Sequence, residues 1–400
     1  MRTFIVSISL LFLIHSGFAQ RLYTVEESTM WEAFMERKEQ TTYDNLSSDD
    51  KALMSQYEMG EGPLIEAGIG CSWYCGGGPY KVTASSQLSH QDSNRYNVQN
   101  VHDFNLLTAW VESVPGTGIG EYLEFRFRPF SPRITSFTIY NGYQKNEVVW
   151  EQNGRVKTLK FYIDGVFQHT LDLADVAGGQ TFDIAPLQST TENKDMVLRF
   201  EIADIYPGTR YEDIVLSDIS FDGLDVHCFA PGTQIHMGDH QTKSIEHIQA
   251  GDLVLGYRPE CQEVASTAVR TTERVVHHHL VRYTFSNGDT LLTTPDHPLM
   301  MTQDIWASLE PEKSALYEGF EDICTLKVGD QMRRLSDCGE WEVVRLTKIE
   351  RIHRELFTYT ITGLDNEEAT GFFANGMLVG VEKVKSFSWP DRAHVLYRVP

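Results

Sequence analysis

The sequence predicts a mainly β protein, in which an antiparallel sandwich is followed by a second all-β unit behind a short helical leader. Three observations carry this. From Tyr80 to Val226, short runs alternate apolar and polar residues between turn signals, as in Leu123, Phe125 and Phe127; Phe137 and Ile139; Leu159, Phe161 and Ile163; and Leu198, Phe200 and Ile202. Such alternation buries one face of each strand, and Asp164-Gly165 between two runs is a hairpin turn. After His227 the pattern shifts, and a Gly-Asp turn at Gly251-Asp252 recurs at Gly329-Asp330, which suggests internal duplication. Before residue 70, Met30, Trp31, Phe34 and Met35 recur at helical spacing.

The leader, residues 20–69, reads as two short helices. Val25 to Arg37 has Thr24 as its N-cap, with Glu26 and Glu27 in the first turn, where carboxylates suit the helix dipole. The second runs from Asp49 to Glu58, capped by Ser47 or Ser48 and stopped at Gly60. The remainder is polar and acidic, and nothing in it suggests chemistry.

Four hundred residues, at roughly 100–200 per domain, give two or three domains. With 34 Lys and Arg against 56 Asp and Glu, the net charge of -22 opposes electrostatic binding to nucleic acid or anionic lipid. Met1 to Ala19 carries Arg2, an apolar run from Phe4 to Ile14, and small residues at Gly17 and Ala19 before Gln20. This is the order of a signal peptide, so residues 1–19 are expected to be removed and the mature chain to be secreted or periplasmic. A membrane anchor is the other reading, but the run is short of the ~20 residues that span a bilayer. No transmembrane segment is expected in the mature chain.

Export permits disulfides among Cys71, Cys75, Cys228, Cys261, Cys324 and Cys338. Cys71 and Cys75 suit a local bridge, and Cys324 with Cys338 is the next most natural pair. If Cys228 must stay a thiol, the others are odd in number and cannot all pair within the chain. Metal binding is disfavoured, because no second pair at ligand spacing accompanies Cys71 and Cys75.

The first β unit, residues 70–226, contains GCSWYCGGG from Gly70, VHDFNLLTAWVE from Val101, GTGIGEYLEF from Gly116, NGYQKNEVVWEQNGRVKTL from Asn141 and YPGTRYEDIVLSDISF from Tyr206. In these it resembles exported bacterial modules called NADase-type glycan-binding domains, within the discoidin-like, galactose-binding-like fold. The resemblance implies a carbohydrate ligand. It does not imply NAD cleavage, since the label comes from enzymes to which such modules are fused. It also implies a structural calcium at the DFNLLTAW loop, with Asp103, Asn105, Thr108 and, on the returning strand, Asp218 as oxygen donors suited to a hard cation. Asp103 could equally cap the turn before Thr108. Tyr143 and Trp150 are candidates to stack on a sugar as exposed aromatics, while Trp110 and Trp150 fit a core equally well.

The second unit, residues 228–381, opens with CFAPGTQI at Cys228, continues through LLTTPDHPLM from Leu291 and LKVGDQMRRL from Leu326, and closes with GFFANGMLVG from Gly371. These blocks, in this order, resemble a Hint domain, the fold shared by inteins and hedgehog autoprocessing domains. That implies an all-β horseshoe with pseudo-twofold symmetry and a self-cleaving site that needs no cofactor. Because an amide is planar and stable, a thiol attacks it usefully only when deprotonated, with the oxyanion held and the leaving amine protonated. Cys228 takes the part of nucleophile on the His227 carbonyl, His297 of proton donor to the departing nitrogen, and Thr294 of hydrogen-bonding partner at the scissile peptide. Asp296 either orients its neighbours or is a surface turn residue. His277, His278 and His279 alternate faces on a strand, so they cannot easily share a metal and read as a solvated strand.

The pattern departs from splicing inteins, which end in His-Asn. Here the positions read Gly380-Val381, and two assisting positions hold Thr370 and Thr358. The step that releases the C-terminal side therefore lacks its nucleophile, and residues 382–400 read as a short tail. The expectation is a glycan-binding protein that cleaves itself between His227 and Cys228 by an N-to-S acyl shift, with water or a small nucleophile as acceptor. The alternative is a non-catalytic carbohydrate-binding adhesion protein with a degenerate Hint domain.

Overall fold

The computed structural model describes residues 22–58, 62–63, 78–90, 95–224, 226–336 and 338–382. The signal-peptide stretch and the Cys71–Cys75 pair lie outside the described residues.

The leader forms the helices its caps dictate. Val25–Gln40 opens on a capping box in which Thr24 and Glu27 exchange side-chain and backbone bonds, satisfying amides the helix leaves unpaired. In Ser48–Glu58 the cap is Ser47, whose hydroxyl accepts the Asp50 amide at 3.0 Å. An Arg37–Asp50 ion pair at 2.6 Å ties the two helices together. Trp31 and Phe34 are buried beside Leu107, which docks the leader on the sandwich, whereas Met30 faces solvent.

The sandwich has two antiparallel sheets among the described residues. The larger runs Lys81–Ala84, Tyr122–Phe127, Met196–Tyr206, Arg155–Ile163, Val166–Asp172; the smaller runs Trp110–Val111, Val215–Leu224, Arg133–Asn141, Gly179–Leu187. Their facing side chains interlock through aromatic rings. Phe137 lies 4.9 Å from Phe200, 5.3 Å from Phe161 and 5.5 Å from Phe182. Such contacts add about 0.5–1.5 kcal/mol each beyond area burial. Asp164 and Gly165 both have positive φ, 50° and 79°, as a two-residue hairpin turn requires.

The second unit is built on two long antiparallel strands, Glu263–Phe285 and Trp341–Leu364, paired from Val269↔Leu364 to Phe285↔Leu346 with several bulges. The repeated turn is a real duplication. Asp252 Oδ2 accepts the Gln249 amide at 2.8 Å, and Asp330 Oδ2 accepts the Lys327 amide at 2.7 Å. Gly251 and Gly329, at φ 91° and 104°, donate to Val269 and Leu346, both at 2.8 Å, and those residues donate back to Asp252 and Asp330. Ile245 opens a 3₁₀ turn, Ile245–His247, and Ile248 follows it, both buried in the core of this unit.

The two β units touch. Leu224, the end of the strand that leads to the second unit, pairs with Arg133. Nearby, the Arg274 guanidinium lies 4.7 Å from the Phe130 ring and 3.7 Å from Phe357, and Val276 donates to the Phe130 carbonyl at 3.2 Å. A cleft of about 670 Å³ opens beside this joint, walled by Tyr80, Phe104, Arg128 and Phe130 on one side and by Val276 and His278 on the other. No described helix is long and apolar enough to cross a membrane.

Candidate active site at the domain junction

The chain leaves the sandwich at Leu224 and is buried again by Val226, which packs with Cys228 and Val275. His227 and Cys228 are fully buried. Strand-like pairing holds the segment on both sides, since Phe229 and Tyr359 exchange backbone bonds at 2.8 and 2.9 Å.

Thr294 brackets Cys228. Its hydroxyl accepts the Cys228 amide hydrogen at 3.2 Å, and its own amide donates to the Cys228 carbonyl at 2.9 Å. Thr293 adds a hydroxyl donor to that carbonyl at 2.7 Å. Sequence reasoning missed Thr293, although its position beside Thr294 in Leu291–Thr294 was the available signal.

His297 is fully buried within the same turn, its amide donating to the Thr294 carbonyl at 3.3 Å. Its ring lies 4.1 Å from the Phe229 ring and 5.5 Å from the His227 ring, so it flanks the His227–Cys228 peptide between the neighbours on either side. Burial pushes its pKa down to about 3, against the opposing effect of the Gly380 carbonyl, which leaves a neutral imidazole at neutral pH. His227 is also held well below the usual imidazole range, by burial and then by His297 and Arg133. Asp296 is buried, with Oδ2 3.5 Å from His227 Nε2, so it faces the site and is not a surface turn residue.

Glu382 completes the enclosure. Its Oε2 accepts the His227 amide hydrogen at 2.8 Å, while Oε1 pairs with the guanidinium of Arg133 from the sandwich. Nothing in the sequence flagged this, because a carboxylate just past the last strand reads as solvated tail. Burial raises its pKa to about 7, against the lowering effect of Arg133.

The histidine run is not a wholly solvated strand. His277 is buried, with Nδ1 2.5 Å from Thr358 Oγ1, and Thr358 donates to the Val275 carbonyl at 3.0 Å. The alternation argument holds, but this face of the strand meets the packing around Cys228 rather than water. Cys324 and Cys338 are each exposed and in no disulfide, so the pairing expected between them is not made.

On the sandwich, Asp103, Asn105, Thr108 and Asp218 come together. Thr108 donates to Asp103 Oδ2 at 2.7 Å, the Asn105 amide to Asp103 Oδ1 at 3.0 Å, and the Phe104 amide to Asp218 Oδ2 at 2.9 Å. Asp218 Oδ1 is buried with no hydrogen-bond partner, and burial raises both carboxyl groups, Asp103 to about 6. An all-oxygen donor set with an orphaned carboxylate oxygen fits a hard cation. No group of three or more His, Cys, Asp or Glu among the described residues is arranged to share a metal. Tyr143 is not an exposed aromatic: it is buried, its hydroxyl bonded to the Leu107 carbonyl at 3.2 Å. Trp150 donates to the Asn141 carbonyl and carries Arg155 on its face, and Trp110 is core.

Residues 73–222 match the model of the NAD glycohydrolase translocation F5/8 type C domain. The sandwich described above occupies that segment. The second unit is similar to a bacterial intein-like domain from Clostridium thermocellum, at 26% identity over 39% of this chain and 99% of that one, with a TM-score of 0.31. It is also similar to a DnaB intein from Synechocystis sp. PCC 6803, at 11% identity over 39% and 99%, with a TM-score of 0.32. No curated relative matches the chain at a significant level.

Proposed function

We propose that the second unit cleaves the chain once, between His227 and Cys228, by an N-to-S acyl shift. The observation that carries the reading is the Thr294 hydroxyl on the Cys228 amide, with His297 flanking the same peptide. The Cys228 thiol adds to the His227 carbonyl carbon, so an S–C bond forms and the C–N bond to Cys228 breaks. The thiol proton passes through neutral His297 to the departing nitrogen, leaving a thioester on sulfur and a free amine. Water then hydrolyses the thioester to a carboxylate on His227 and the thiol. Gly380 and Val381 supply no nucleophile for splicing, so the reaction stops at one cut.

Incubation of the purified chain with dithiothreitol or hydroxylamine tests this, because either nucleophile captures a thioester. The non-catalytic alternative is favoured by one observation, the complete burial of His227, Cys228 and His297, which keeps the peptide off the solvent-exposed surface. It predicts an intact chain under both reagents.

The sandwich is, in the same reading, a carbohydrate-binding cargo of a secreted or periplasmic protein. With Tyr143 and Trp110 committed to packing, the exposed Tyr80 beside Phe104 in the cleft supports a sugar there. A glycan array with the full chain and Tyr80→Ala tests it; equal signals, or none, remove that site. A calcium held by Asp103, Asn105, Thr108 and Asp218 would brace the neighbouring loop by neutralising the buried Asp218 carboxylate together with Asp103.

A further inference from the structure

The residue ahead of the scissile bond is held from two domains at once. Val381 donates to Thr370 at 2.9 Å and Gly380 to Pro298 at 2.9 Å, which fixes the backbone just before Glu382 against the turn that carries His297. From there the Glu382 carboxylate spans the gap, with one oxygen on the His227 amide and the other on Arg133. Arg133 begins the sandwich strand Arg133–Asn141 and pairs in register with Leu224, so it lies beside the chain as that chain enters the site. Its other amino group is 3.6 Å from Glu273 on the long strand of the second unit. All three groups of the Arg133–Glu382–His227 chain are buried. A buried carboxylate keeps its charge and place only while a cation faces it.

We propose that Arg133 and Glu382 are positioning residues for the cleavage, and that the sandwich thereby licenses its own release. This rests on the reading that Cys228 attacks His227. Glu382 fixes the acyl side of the bond, as Thr294 fixes the amine side, and Arg133 holds the carboxylate where it reaches the amide. With the sandwich undocked, Arg133 leaves, the carboxylate loses its counterion and the His227 carbonyl loses its registration with the thiol. Misplacement of about 1 Å at a reacting centre costs on the order of 100-fold in rate.

The test compares the full chain with Arg133→Met, Arg133→Lys, Glu382→Gln and Cys228→Ala, following cleavage with dithiothreitol by intact mass from pH 5.5 to 8.5. Arg133→Met and Glu382→Gln are expected to slow cleavage at least about 10-fold, and Arg133→Lys to recover most of the rate. The charged and titratable groups around Glu382 are Arg133 from the sandwich, Glu273 from the long strand, Tyr317 beside Arg133, and His227 with Asp296. Of these, the wild type should show a limb near pH 7 from Glu382 that vanishes in Glu382→Gln, which a merely structural role would not move. Glu382→Gln keeps the side chain's size and an oxygen for the amide, so it decides the matter if Arg133→Met fails to fold. Folded variants that cleave at the wild-type rate with the wild-type pH profile overturn the proposal. A wild type as inert as Cys228→Ala instead removes the cleavage reading, and this proposal with it.

Discussion

Thr294 and Cys228 are locked reciprocally: the hydroxyl of one accepts the amide hydrogen of the other at 3.2 Å, and the amide of the first returns a bond to the carbonyl of the second at 2.9 Å. The hydroxyl bond marks the nitrogen that must leave. Thr294→Val removes it at nearly constant volume and leaves a buried amide unsatisfied. Thiol-induced cleavage should slow by about 10- to 100-fold, with about 1–2 kcal/mol lost in a denaturant melt. Thr294→Ser should keep most of both.

His297→Gln should abolish cleavage, and it also has a signature in stability. The folded pKa near 3 lies below the value of about 6.5 in the unfolded chain, so the unfolded state takes up the proton first. The neutral ring's contribution is therefore complete above pH 6.5 and is lost as pH falls toward 3. Between pH 6 and 4 the wild type should lose about 1 kcal/mol more per pH unit than His297→Gln, measured by urea melts at each pH. Parallel losses would place the ring in contact with solvent.

The duplicated turn predicts matched effects at two distant sites. Asp252→Ala and Asp330→Ala each remove the carboxylate that caps the turn, at a cost of about 1 kcal/mol. Asp252→Ala should cost more, because Asp252 also pairs with Lys243 at 2.6 Å. Urea midpoints of the two variants check the order.

Calcium should raise the melting temperature of the chain, since a ligand at about 100 times its Kd contributes about 2.7 kcal/mol. The shift should fall as pH drops through about 6, where Asp103 takes up a proton, and disappear in Asp218→Asn. Thermal melts with calcium and with a chelator measure it. No shift at any pH would mean that these oxygens only cap the loop.

Much of this architecture was legible in the sequence because its signals are local. Alternation placed Leu123, Phe125 and Phe127 in the core, Thr24 and Ser47 began the helices, and the Gly-Asp turns announced the duplication. Cys228, Thr294 and His297 were legible as motif residues, and the fold brings them together at one peptide. What could not be read depends on docking. Glu382 and Arg133 are charged residues with no local partner, and only the contact between two domains buries them together. His277 and Tyr143 were misjudged for the same reason, since each turns inward against an element remote in sequence. Cys324 and Cys338 read as a pair only because they are the last two cysteines along the chain.

Intact mass of the purified chain, with and without dithiothreitol or hydroxylamine and beside Cys228→Ala, tests the central claim most directly. The account predicts fragments ending at His227 and beginning at Cys228, released faster by either nucleophile and absent from the alanine variant. A full-length chain unchanged by both reagents and indistinguishable from Cys228→Ala would contradict it.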